Sequence, residues 1–384
     1  MGIKQKQVYR GFEQGPIRPP SEANSLLIRV TRNCPWNRCT FCSVYKREKF
    51  SLRLTEHVIA DIDAIYQVVA LILEELQRNG RLTTERVNKL AEQFAGEAQG
   101  TFYTAVNWLL RGEGSIFLQD ANSLIIKPDD LIAILDHLKN RFPWITRITS
   151  YARSHTVDKI SDEKLLQVAA SGLNRIHIGM ETGCDTVLNH VDKGVTQAQH
   201  ISAGRKVKRA GIELSEYVMP GLGGANLSEQ HALQTADALN QIDPDFIRLR
   251  TLTLPPGMTL FKESDQFSKC TDLQIVNEIR TMVDALEVIS STLKSDHFNN
   301  LLQEVEGSFP EDKQRMLDIM DEFLQLPPQQ QTLYQVGRRM GYFQTLGDLS
   351  STVQREHVEG ICERLGITSD SADRIIAERV RQSL

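Results

Sequence analysis

Three cysteines near the start of the chain stand close enough together to bind a metal or an iron–sulfur cluster. Cys34, Cys39 and Cys42 fall within nine residues, whereas the other three of the six cysteines are scattered. A cysteine used only for packing needs no neighbours of its own kind, but thiolates on one loop can converge on a metal. Residues 25–31, just before the loop, form an apolar run that predicts a short buried strand. The cysteines therefore follow the carboxyl end of a strand, where α/β folds place their chemistry.

The spacing of these cysteines leaves several ligand sets open. A C-x4-C-x2-C pattern is typical of plant-type ferredoxins, but the fourth ligand of a two-iron cluster is not found before Cys184. A zinc ribbon needs a second pair of ligands at short range, and only His57 lies nearby. A four-iron cluster held by three cysteines leaves one iron free to bind a cofactor or a substrate. We favour this cluster, with a zinc site, a two-iron cluster or a disulfide as alternatives.

The loop, with Phe41 immediately before the last cysteine, resembles the cysteine motif of the radical S-adenosylmethionine enzymes. Their usual spacing is C-x3-C-x2-C, so this chain has one extra residue in the first gap. The resemblance implies a [4Fe–4S] cluster on Cys34, Cys39 and Cys42, whose fourth iron takes the amino and carboxylate groups of S-adenosylmethionine. In the family, the reduced cluster cleaves the cofactor's C–S bond, and a 5′-deoxyadenosyl radical removes a hydrogen atom from substrate. An external reductant such as flavodoxin or ferredoxin, and sensitivity to oxygen, are implied as well.

The rest of the chain predicts how this loop is positioned. Residues 55–111 show helical periodicity, which we interpret as a helical insertion. Strands and helices then alternate, which predicts a parallel sheet with right-handed crossovers. Five strands are predicted after the first, at residues 115–119, 145–149, 175–178, 213–219 and 245–253. Six strand–helix units are too few for a closed eight-fold barrel, so the predicted fold is α/β, a partial TIM-like (β/α)6 barrel open at one side.

We predict three segments along the chain. Residues 1–24 are polar and contain prolines, and are expected to lie over the barrel near the cysteines, with a disordered leader as the alternative. Residues 25–257 form the partial barrel. Residues 258–384 are predicted to be a helical region that begins with one long helix at 273–293. This region is the part of the chain that could cover the open side of the barrel.

Polar residues follow the second and third predicted strands, at the edge where ligands of parallel sheets bind. The turn with Asp120 and Asn122 resembles the Asp-Gly-Asn variant of the family's turn that binds the amino group of the cofactor's methionine. By that resemblance Asp120 accepts hydrogen bonds from the ammonium and Asn122 helps to orient it. A helix N-cap turn is the alternative. Arg153, after the third strand, could clamp the methionine carboxylate or line the substrate cavity, or could be a surface arginine.

The fourth and fifth predicted strands are followed by two further motifs. Residues 178–183, Ile-Gly-Met-Glu-Thr-Gly, are similar to the Ile-Gly-x-Glu-Ser-Gly signature of the branch with the tRNA methylthiotransferases and the Elongator-type enzyme. The turn with Asp120 is also similar to the corresponding turn in relatives of the anaerobic porphyrin enzymes. The resemblance makes Glu181 a candidate for the ribose or methionine region. It makes Lys193 a candidate partner of a cofactor carboxylate, with solvated surface as the alternative. Gly221 lies in a glycine-rich loop that we expect to pack against adenine.

A last candidate segment, residues 295–300, follows the predicted long helix. His297 could exchange a proton with the substrate near neutral pH, and Asn299 could orient a polar group. The alternative is that both side chains cap the helix's carboxyl end. Cys184, Cys270 and Cys362 stand alone in the sequence and are expected to be buried as small hydrophobic residues.

Composition limits the classes of function. The 384 residues carry a net charge of −5, with a pI near 6.0, so no basic field indicates a nucleic-acid partner. The most apolar region, 58–76, is interrupted by two aspartates, and we predict no membrane span. The start of the chain has no apolar signal core, and clustered thiols suit a reducing cytoplasm. We therefore predict a cytoplasmic radical enzyme acting on an unidentified small molecule. An RNA- or protein-modifying enzyme and a non-catalytic iron–sulfur or zinc protein are the alternatives.

Overall fold

The computed structural model describes residues 8–94, 96–112, 114–254, 260, 267–369, 371, 372 and 375. The predicted barrel boundary at Gly257 and the end of the predicted helical region lie outside the described residues. The chain divides into two compact units, which are described in turn. The first comprises residues 1–37, 44–178 and 205–214, and the second comprises residues 38–43, 179–204 and 215–384.

Strands and helices alternate along most of the chain. The strands are β1 (Leu26–Arg29), β2 (Thr31–Arg32), β3 (Ser51–Leu52), β4 (Ser115–Gln119), β5 (Arg147–Ala152), β6 (Arg175–Glu181), β7 (Glu213–Val218), β8 (Phe246–Leu249), β9 (Thr292–Lys294) and β10 (Gly307–Ser308). The helices are α1 (Thr55–Asn79), α2 (Thr84–Ala91), α3 (Glu97–Arg111), α4 (Pro128–Arg141), α5 (Ser154–Lys159), α6 (Asp162–Ala170), α7 (Asp185–His190), α8 (Gln197–Arg209), α9 (Gly224–Ile242), α10 (Asp272–Ala285), α11 (Lys313–Gln325), α12 (Pro328–Arg339) and α13 (Thr352–Leu365).

The main sheet has the strand order β1-β4-β5-β6-β7-β8-β9-β10. The pairs β1–β4, β4–β5, β5–β6, β7–β8 and β8–β9 are parallel, and β9–β10 is antiparallel. In the described part of the chain the sheet is open, with β1 and β10 at its edges. The predicted α/β class and open parallel sheet are confirmed. The sheet holds β9 and β10 in addition to the six predicted strands.

The first unit contains the predicted helical insertion. Helix α1 buries Val58, Ile62, Ile65 and Val69, which recur every three or four residues on one face. It ends at Gly80, which adopts a left-handed conformation with φ of 69° and donates its backbone N–H to the last turn. Helix α1 packs against α3 and α4. The small antiparallel pair of β2 and β3 stands on either side of the cysteine loop along the chain, and so fixes where that loop begins and ends.

Residues 8–24 run against the carboxyl ends of strands β1 and β4. The backbone N–H of Gly15 donates to Gln119 Oε1 over 2.8 Å, and Gln119 Nε2 donates to the carbonyl oxygen of Ile17 over 2.6 Å. Glu13 accepts hydrogen bonds from Arg29 Nη1 at 3.0 Å and from Arg32 Nε at 2.7 Å. The segment is therefore bound by specific polar contacts, unlike the disordered leader given as the alternative.

The second unit has an apolar core beneath the cysteine loop's second half. Cys184, Val187, Val191, Leu222 and Leu252 are buried in it, and the ring of Phe41 packs against them. Helices α9 and α10 pack against each other over the same unit. No helix of the described residues combines the length and the hydrophobicity needed to cross a membrane.

The prediction of one helix over 273–293 is wrong in its second half. Helix α10 ends at Ala285, and Leu286 has an extended backbone with φ of −75° and ψ of 116°. The chain then forms β9, parallel to β8. The stretch that leads into β9 contains the β-branched residues Val288, Ile289 and Thr292, which favour a strand when a neighbouring edge is available. His297 and Asn299 therefore follow a strand, so the alternative that they cap a helix is also wrong.

Candidate active site

The first part of the cysteine loop is shaped by two asparagines in the first unit. Asn33 and Asn37 adopt left-handed conformations, with φ of 67° and 47°, which turn the chain on either side of Cys34. The backbone N–H of Asn37 donates to Cys34 Sγ over 3.4 Å. The side-chain amide of Asn37 donates to the carbonyl oxygen of Tyr45, which ties the loop to the segment that follows it. Both contacts fix the backbone on which Cys34 stands, at the start of the loop.

The second part of the loop is anchored in the second unit. The backbone N–H of Thr40 donates to the carbonyl oxygen of Val191 over 2.9 Å, and that of Cys42 donates to Cys39 O over 3.3 Å. Cys34, Cys39 and Cys42 are half-buried and form no disulfide, so the disulfide alternative is wrong. No three Cys, His, Asp or Glu side chains of the described residues are close enough to hold a single metal ion. A four-iron cluster has no such requirement, because each thiolate binds a different iron.

Asp120, predicted to accept the cofactor's ammonium, is instead surrounded by donors of the protein. Its side chain is 0% exposed, and Oδ2 accepts Arg29 Nη2 at 2.7 Å, Arg29 Nε at 3.1 Å and the backbone N–H of Asn33 at 3.2 Å. Oδ1 accepts the hydroxyl of Tyr45. Burial and the carboxylate of Asp120 raise the pKa of Tyr45, so its hydroxyl remains a donor. The contacts of Asp120 hold the backbone next to Cys34. Its role toward the cofactor remains a prediction.

Asn122 and Arg153 lie together at the carboxyl ends of β4 and β5. Asn122 is buried; its Oδ1 accepts the backbone N–H of Arg153 at 3.1 Å, and its Nδ2 donates to Thr156 Oγ1 at 2.8 Å. The half-buried guanidinium of Arg153 lies over the ring of Trp36, with 5.1 Å from its carbon to the ring centre. Asn122 thus positions Arg153, which contacts the cysteine loop through a cation–π interaction.

Glu181 and Lys193 form a buried ion pair in the second unit. Lys193 Nζ lies 3.0 Å from Glu181 Oε1 and 5.4 Å from the centre of the Phe41 ring. Lys193 is 8% exposed, so the alternative of a solvated surface lysine is wrong. Glu181 has a left-handed backbone with φ of 65°, and its carboxylate folds over Gly179. A Cβ on Gly179 would come within 2.2 Å of Glu181 Oε1, which gives a physical reason for glycine at this position.

Glu216, in strand β7, was not singled out by the sequence analysis. It is 0% exposed, and neither carboxylate oxygen has a hydrogen-bond partner among the described residues. Burial raises the pKa of Glu216 well above its ordinary value, and the charge of Glu181 adds to this. Lys193 and the Met180 amide act in the opposite direction with less effect. The surroundings of Glu216 therefore favour its protonated form over its ionised form, compared with an exposed glutamate. An acidic residue inside an apolar strand pattern was the signal that could have identified it.

Gly221 is held by a buried polar network rather than left as a free loop. It has φ of 84°, and its backbone N–H donates to Glu278 Oε1 over 2.7 Å. Glu278 also accepts the hydroxyl of Ser228 and lies 3.4 Å from His231 Nε2, whose Nδ1 is 2.7 Å from Thr182 Oγ1. Burial lowers the pKa of His231, so the ring is neutral at pH 7. The network fixes the turns after β6 and β7, although it does not test the predicted contact with adenine.

His297 lies on the loop after β9, and its surroundings keep it neutral. Burial lowers its pKa to about 4, and the charge of Arg250 contributes to this shift. Its Nδ1 accepts the backbone N–H of Asn299 over 3.2 Å, and its ring stacks on Phe298 with 4.5 Å between centres. A neutral ring can accept a proton but cannot serve as an acid at pH 7. Asn300 was missed in the sequence analysis; its side chain joins this loop to the end of β8 through Thr251 and the Leu249 carbonyl.

The three isolated cysteines, Cys184, Cys270 and Cys362, lie outside the cysteine loop. Cys184 and Cys270 are 0% and 4% exposed, as expected of packing residues, whereas Cys362 is half-buried, so the expectation of burial is wrong for Cys362. Burial raises the pKa of Cys270 to about 12, with Glu278 adding to the effect. Buried thiols with raised pKa values are inert. The metal-binding hypothesis therefore remains with the three cysteines of the loop.

The family of the chain follows from a comparison of its sequence with known protein families. The profile of the radical SAM superfamily matches residues 28–236, which is more than half of the 384 residues. The chain belongs to the radical SAM superfamily and is an enzyme. Its cofactors are a [4Fe–4S] cluster and S-adenosylmethionine, and radical SAM enzymes in general need an external reductant and a substrate. The matched residues begin in β1 and include the whole cysteine loop.

Several solved structures show a weak likeness to this chain. Coproporphyrinogen III oxidase (HemN) from Escherichia coli is 13% identical, with a TM-score of 0.45, covering 68% of this chain and 52% of that one. Methylornithine synthase (PylB) is 16% identical, with a TM-score of 0.39 and coverage of 69% and 65%. The Elp3 of the archaeon Methanocaldococcus infernus, without its N-terminus, is 12% identical, with a TM-score of 0.41 and coverage of 58% and 58%. The chain thus spans between half and two thirds of these proteins' lengths. No curated protein sequence matches it.

The residues of the loop fit the cluster that the superfamily implies. The three cysteines are half-buried and form no disulfide, and Cys34 Sγ accepts a backbone N–H from its own loop. Thiolate is the ligand that iron–sulfur clusters use, and amide donors to sulfur are a usual means of tuning them. Glu181 and Lys193 offer one carboxylate and one ammonium at the end of β6, which suit a zwitterionic or hydroxyl-bearing cofactor.

Proposed function

We propose that Cys34, Cys39 and Cys42 hold the [4Fe–4S] cluster and that the enzyme acts on a small polar molecule in the cytoplasm. The observation that carries this proposal is that Cys34, Cys39 and Cys42 are half-buried, form no disulfide and lie on one short loop within the matched residues 28–236. When bound, the reduced cluster supplies the electron that cleaves S-adenosylmethionine and so starts hydrogen-atom removal from the substrate. A flavodoxin or ferredoxin-type protein supplies that electron, and the cluster is sensitive to oxygen.

The protein's own residues bind and orient in this proposal. Lys193 pairs with the cofactor's carboxylate and Glu181 with its ribose or methionine region, since both lie buried at the end of β6. Arg153 lies beside the loop through Trp36 and lines the substrate side of it. Phe41 packs on the apolar core and shields the loop from water. His297, neutral at pH 7, accepts a proton or a hydrogen bond from the substrate.

The experiment purifies the protein without oxygen, reconstitutes it with iron and sulfide, and reduces it with dithionite. We expect a brown protein with about four irons per chain that converts S-adenosylmethionine to 5′-deoxyadenosine. Cys39→Ala should lose colour and product together. Cys362→Ala, which removes another half-buried thiol outside the loop, should retain both.

Full iron content and product formation in Cys39→Ala would contradict the ligand assignment. A wild-type protein with cluster but no 5′-deoxyadenosine would favour a non-catalytic iron–sulfur protein. Retention of RNA on a filter by the reconstituted enzyme would favour the RNA-modifying alternative over a small-molecule substrate.

A further inference from the structure

One face of strand β8 carries charged side chains, although the other is apolar. Ile247 and Leu249 are buried at 0% and 1% exposure, and Phe246 and Arg248 alternate with them onto the opposite face. The guanidinium of Arg248 lies over the ring of Phe246, with 5.8 Å to the ring centre, so these two side chains share that face. Arg250 follows at the same interval just past the strand and is exposed.

The neighbouring strands add polar residues to the same face. Ser215 of β7 is the register partner of Phe246, and Lys294 of β9 is the register partner of Arg248. Partners in a parallel pair direct their side chains to the same side of the sheet, because both strands share one pleat. Ser215, Arg248 and Lys294 therefore belong to one surface of the second unit.

Two buried polar groups of this surface lack hydrogen-bond partners among the described residues. Arg248 is 6% exposed, and its Nε–H has no acceptor. Asp296 Oδ2 lies 3.6 Å from Arg248 Nη1, which is too far for a hydrogen bond. The hydroxyl of Ser215, 0% exposed, has no partner either. Buried donors without acceptors are costly, and they are typical of a site whose acceptor arrives with a ligand.

The charge of this surface is positive. Lys294 is neutralised by Glu306, whose Oε2 lies 3.0 Å from Lys294 Nζ. Arg248 lies opposite the carboxylate of Asp296, which is itself about half exposed, and Arg250 is exposed just past the end of β8. His297 adds no charge at pH 7, because burial and the charge of Arg250 hold its pKa at about 4. Within the described part of this surface, one positive charge is thus left without a counterion at a place that opens to solvent.

We infer that Arg248 and Arg250 bind an anionic oxygen group of the substrate, a carboxylate or a phosphate. This inference rests on the proposed function, because it names the class of molecule on which the enzyme acts. A guanidinium presents pairs of N–H groups that match two oxygens of a carboxylate or phosphate. The hydroxyl of Ser215 lies on the same face, where Ser215 is the register partner of Phe246.

The test measures binding rather than turnover. The reconstituted enzyme is titrated, with melting temperature as the readout, with succinate and glycerol 3-phosphate and with their uncharged counterparts succinamide and glycerol. We expect at least one anion, and neither uncharged compound, to raise the melting temperature. The anion with the larger shift distinguishes carboxylate from phosphate.

Two variants locate the site. Arg248→Gln should weaken the binding of the anion about ten-fold or more, the factor carried by one charge-assisted hydrogen bond. Arg355→Gln removes an exposed arginine that pairs with Glu359 on its own helix, and should leave binding unchanged. Equal shifts with charged and uncharged compounds, or equal affinity in wild type and Arg248→Gln, would overturn the inference.

A further variant separates ligand binding from a role in folding. Arg248→Met should leave the melting temperature of the ligand-free enzyme unchanged or higher, because it removes a buried N–H without an acceptor. A clearly lower melting temperature would mean that Arg248 supports the fold, and would overturn the inference. A wild type that binds the anion but forms no 5′-deoxyadenosine would contradict the proposed function alone.

Discussion

The carboxylate of Asp120 accepts the backbone N–H of Asn33 over 3.2 Å, one residue before Cys34. Its other oxygen accepts the hydroxyl of Tyr45, which follows the loop's last cysteine by three residues. Asp120 therefore holds the chain on both sides of the cysteine loop, and Arg29 of β1 holds Asp120 in turn. This arrangement suits a residue that positions the loop for its cluster.

We predict that Tyr45→Phe shortens the lifetime of the cluster. The variant removes one hydrogen bond to a buried carboxylate. Such a bond changes an equilibrium constant about ten- to a hundred-fold. The rate at which a chelator removes iron from the reconstituted protein measures the effect. Tyr9→Phe is the matched control, since the hydroxyl of Tyr9 donates to Asp61 over 3.0 Å in the same unit but away from the loop.

The same measurement discriminates between two roles of Asp120. Asp120→Asn should speed iron loss and alter the spectrum of the reduced cluster before any S-adenosylmethionine is added, if Asp120 positions the loop. An unchanged cluster with weaker cofactor binding would instead support the ammonium-binding role that the sequence predicts. Gly15→Ala perturbs the same carboxylate without changing the charge of the protein, because the added Cβ would lie 2.8 Å from Asp120 Oδ2.

Arg153→Gln is expected to loosen the loop at Trp36. The guanidinium lies 5.1 Å from the ring centre, and a cation–π contact contributes about 0.5–1 kcal/mol at a partly exposed site. Quenching of Trp36 fluorescence by acrylamide, measured with Trp144→Phe in the background, should increase, and Arg153→Lys should retain part of the protection. Cofactor affinity should fall about two- to five-fold. A hundred-fold loss of cofactor affinity would instead indicate that Arg153 binds the methionine carboxylate of the cofactor.

Lys193→Met is expected to weaken S-adenosylmethionine binding while the iron content stays unchanged. The variant removes the ammonium 3.0 Å from Glu181 and leaves that carboxylate without its ion-pair partner. Calorimetry should show a loss of about ten- to a hundred-fold. Lys164→Met, which breaks an exposed pair with Asp129, is the control. Wild-type affinity in Lys193→Met would remove this pair from the cofactor site.

Glu216→Gln should change how stability depends on pH. The folded protein keeps Glu216 protonated above the ordinary pKa of a glutamate, whereas the unfolded chain ionises it. The contribution of Glu216 to the free energy of unfolding is thus complete below about pH 4.5. It is lost as the pH rises, by up to about 1.4 kcal/mol per pH unit. Urea unfolding between pH 5 and 8 should show a flatter profile for Glu216→Gln than for wild type. Glu213→Gln, at an exposed position of the same strand, should keep the wild-type slope.

His297→Ala should keep the cluster and the slow, uncoupled cleavage of S-adenosylmethionine but lose turnover of the true substrate. The pKa of His297 is about 4, so its stability contribution is present above about pH 6.5 and is lost as pH falls toward 4. The variant should accordingly be less sensitive to acid than wild type in unfolding experiments, whereas His357→Gln, at an exposed position, should not differ. Wild-type turnover in His297→Ala would leave His297 with no part in catalysis.

The cysteine loop, the strand–helix alternation and the superfamily could all be inferred from the sequence. Ligand spacing is a local property of nine residues, and hydrophobic periodicity reports which face of each element is buried. The six predicted strands follow from this periodicity, and so does the helical insertion. The position of Glu181 at the end of β6 follows from the same periodicity, whereas the ion pair with Lys193, 12 residues further along the chain, does not.

Only the tertiary structure decided which side chains meet. Asp120 lies 87 residues from Asn33 and 75 from Tyr45, and no pattern in the sequence couples the three. Residues 292–294 form β9 rather than the end of a helix, because β8 offers them a parallel edge with which to pair. The unpartnered donors of Arg248 and Ser215 follow from the same pairing. Whether a buried polar group finds a partner depends on neighbours from distant strands, and that is a property of packing rather than of local sequence.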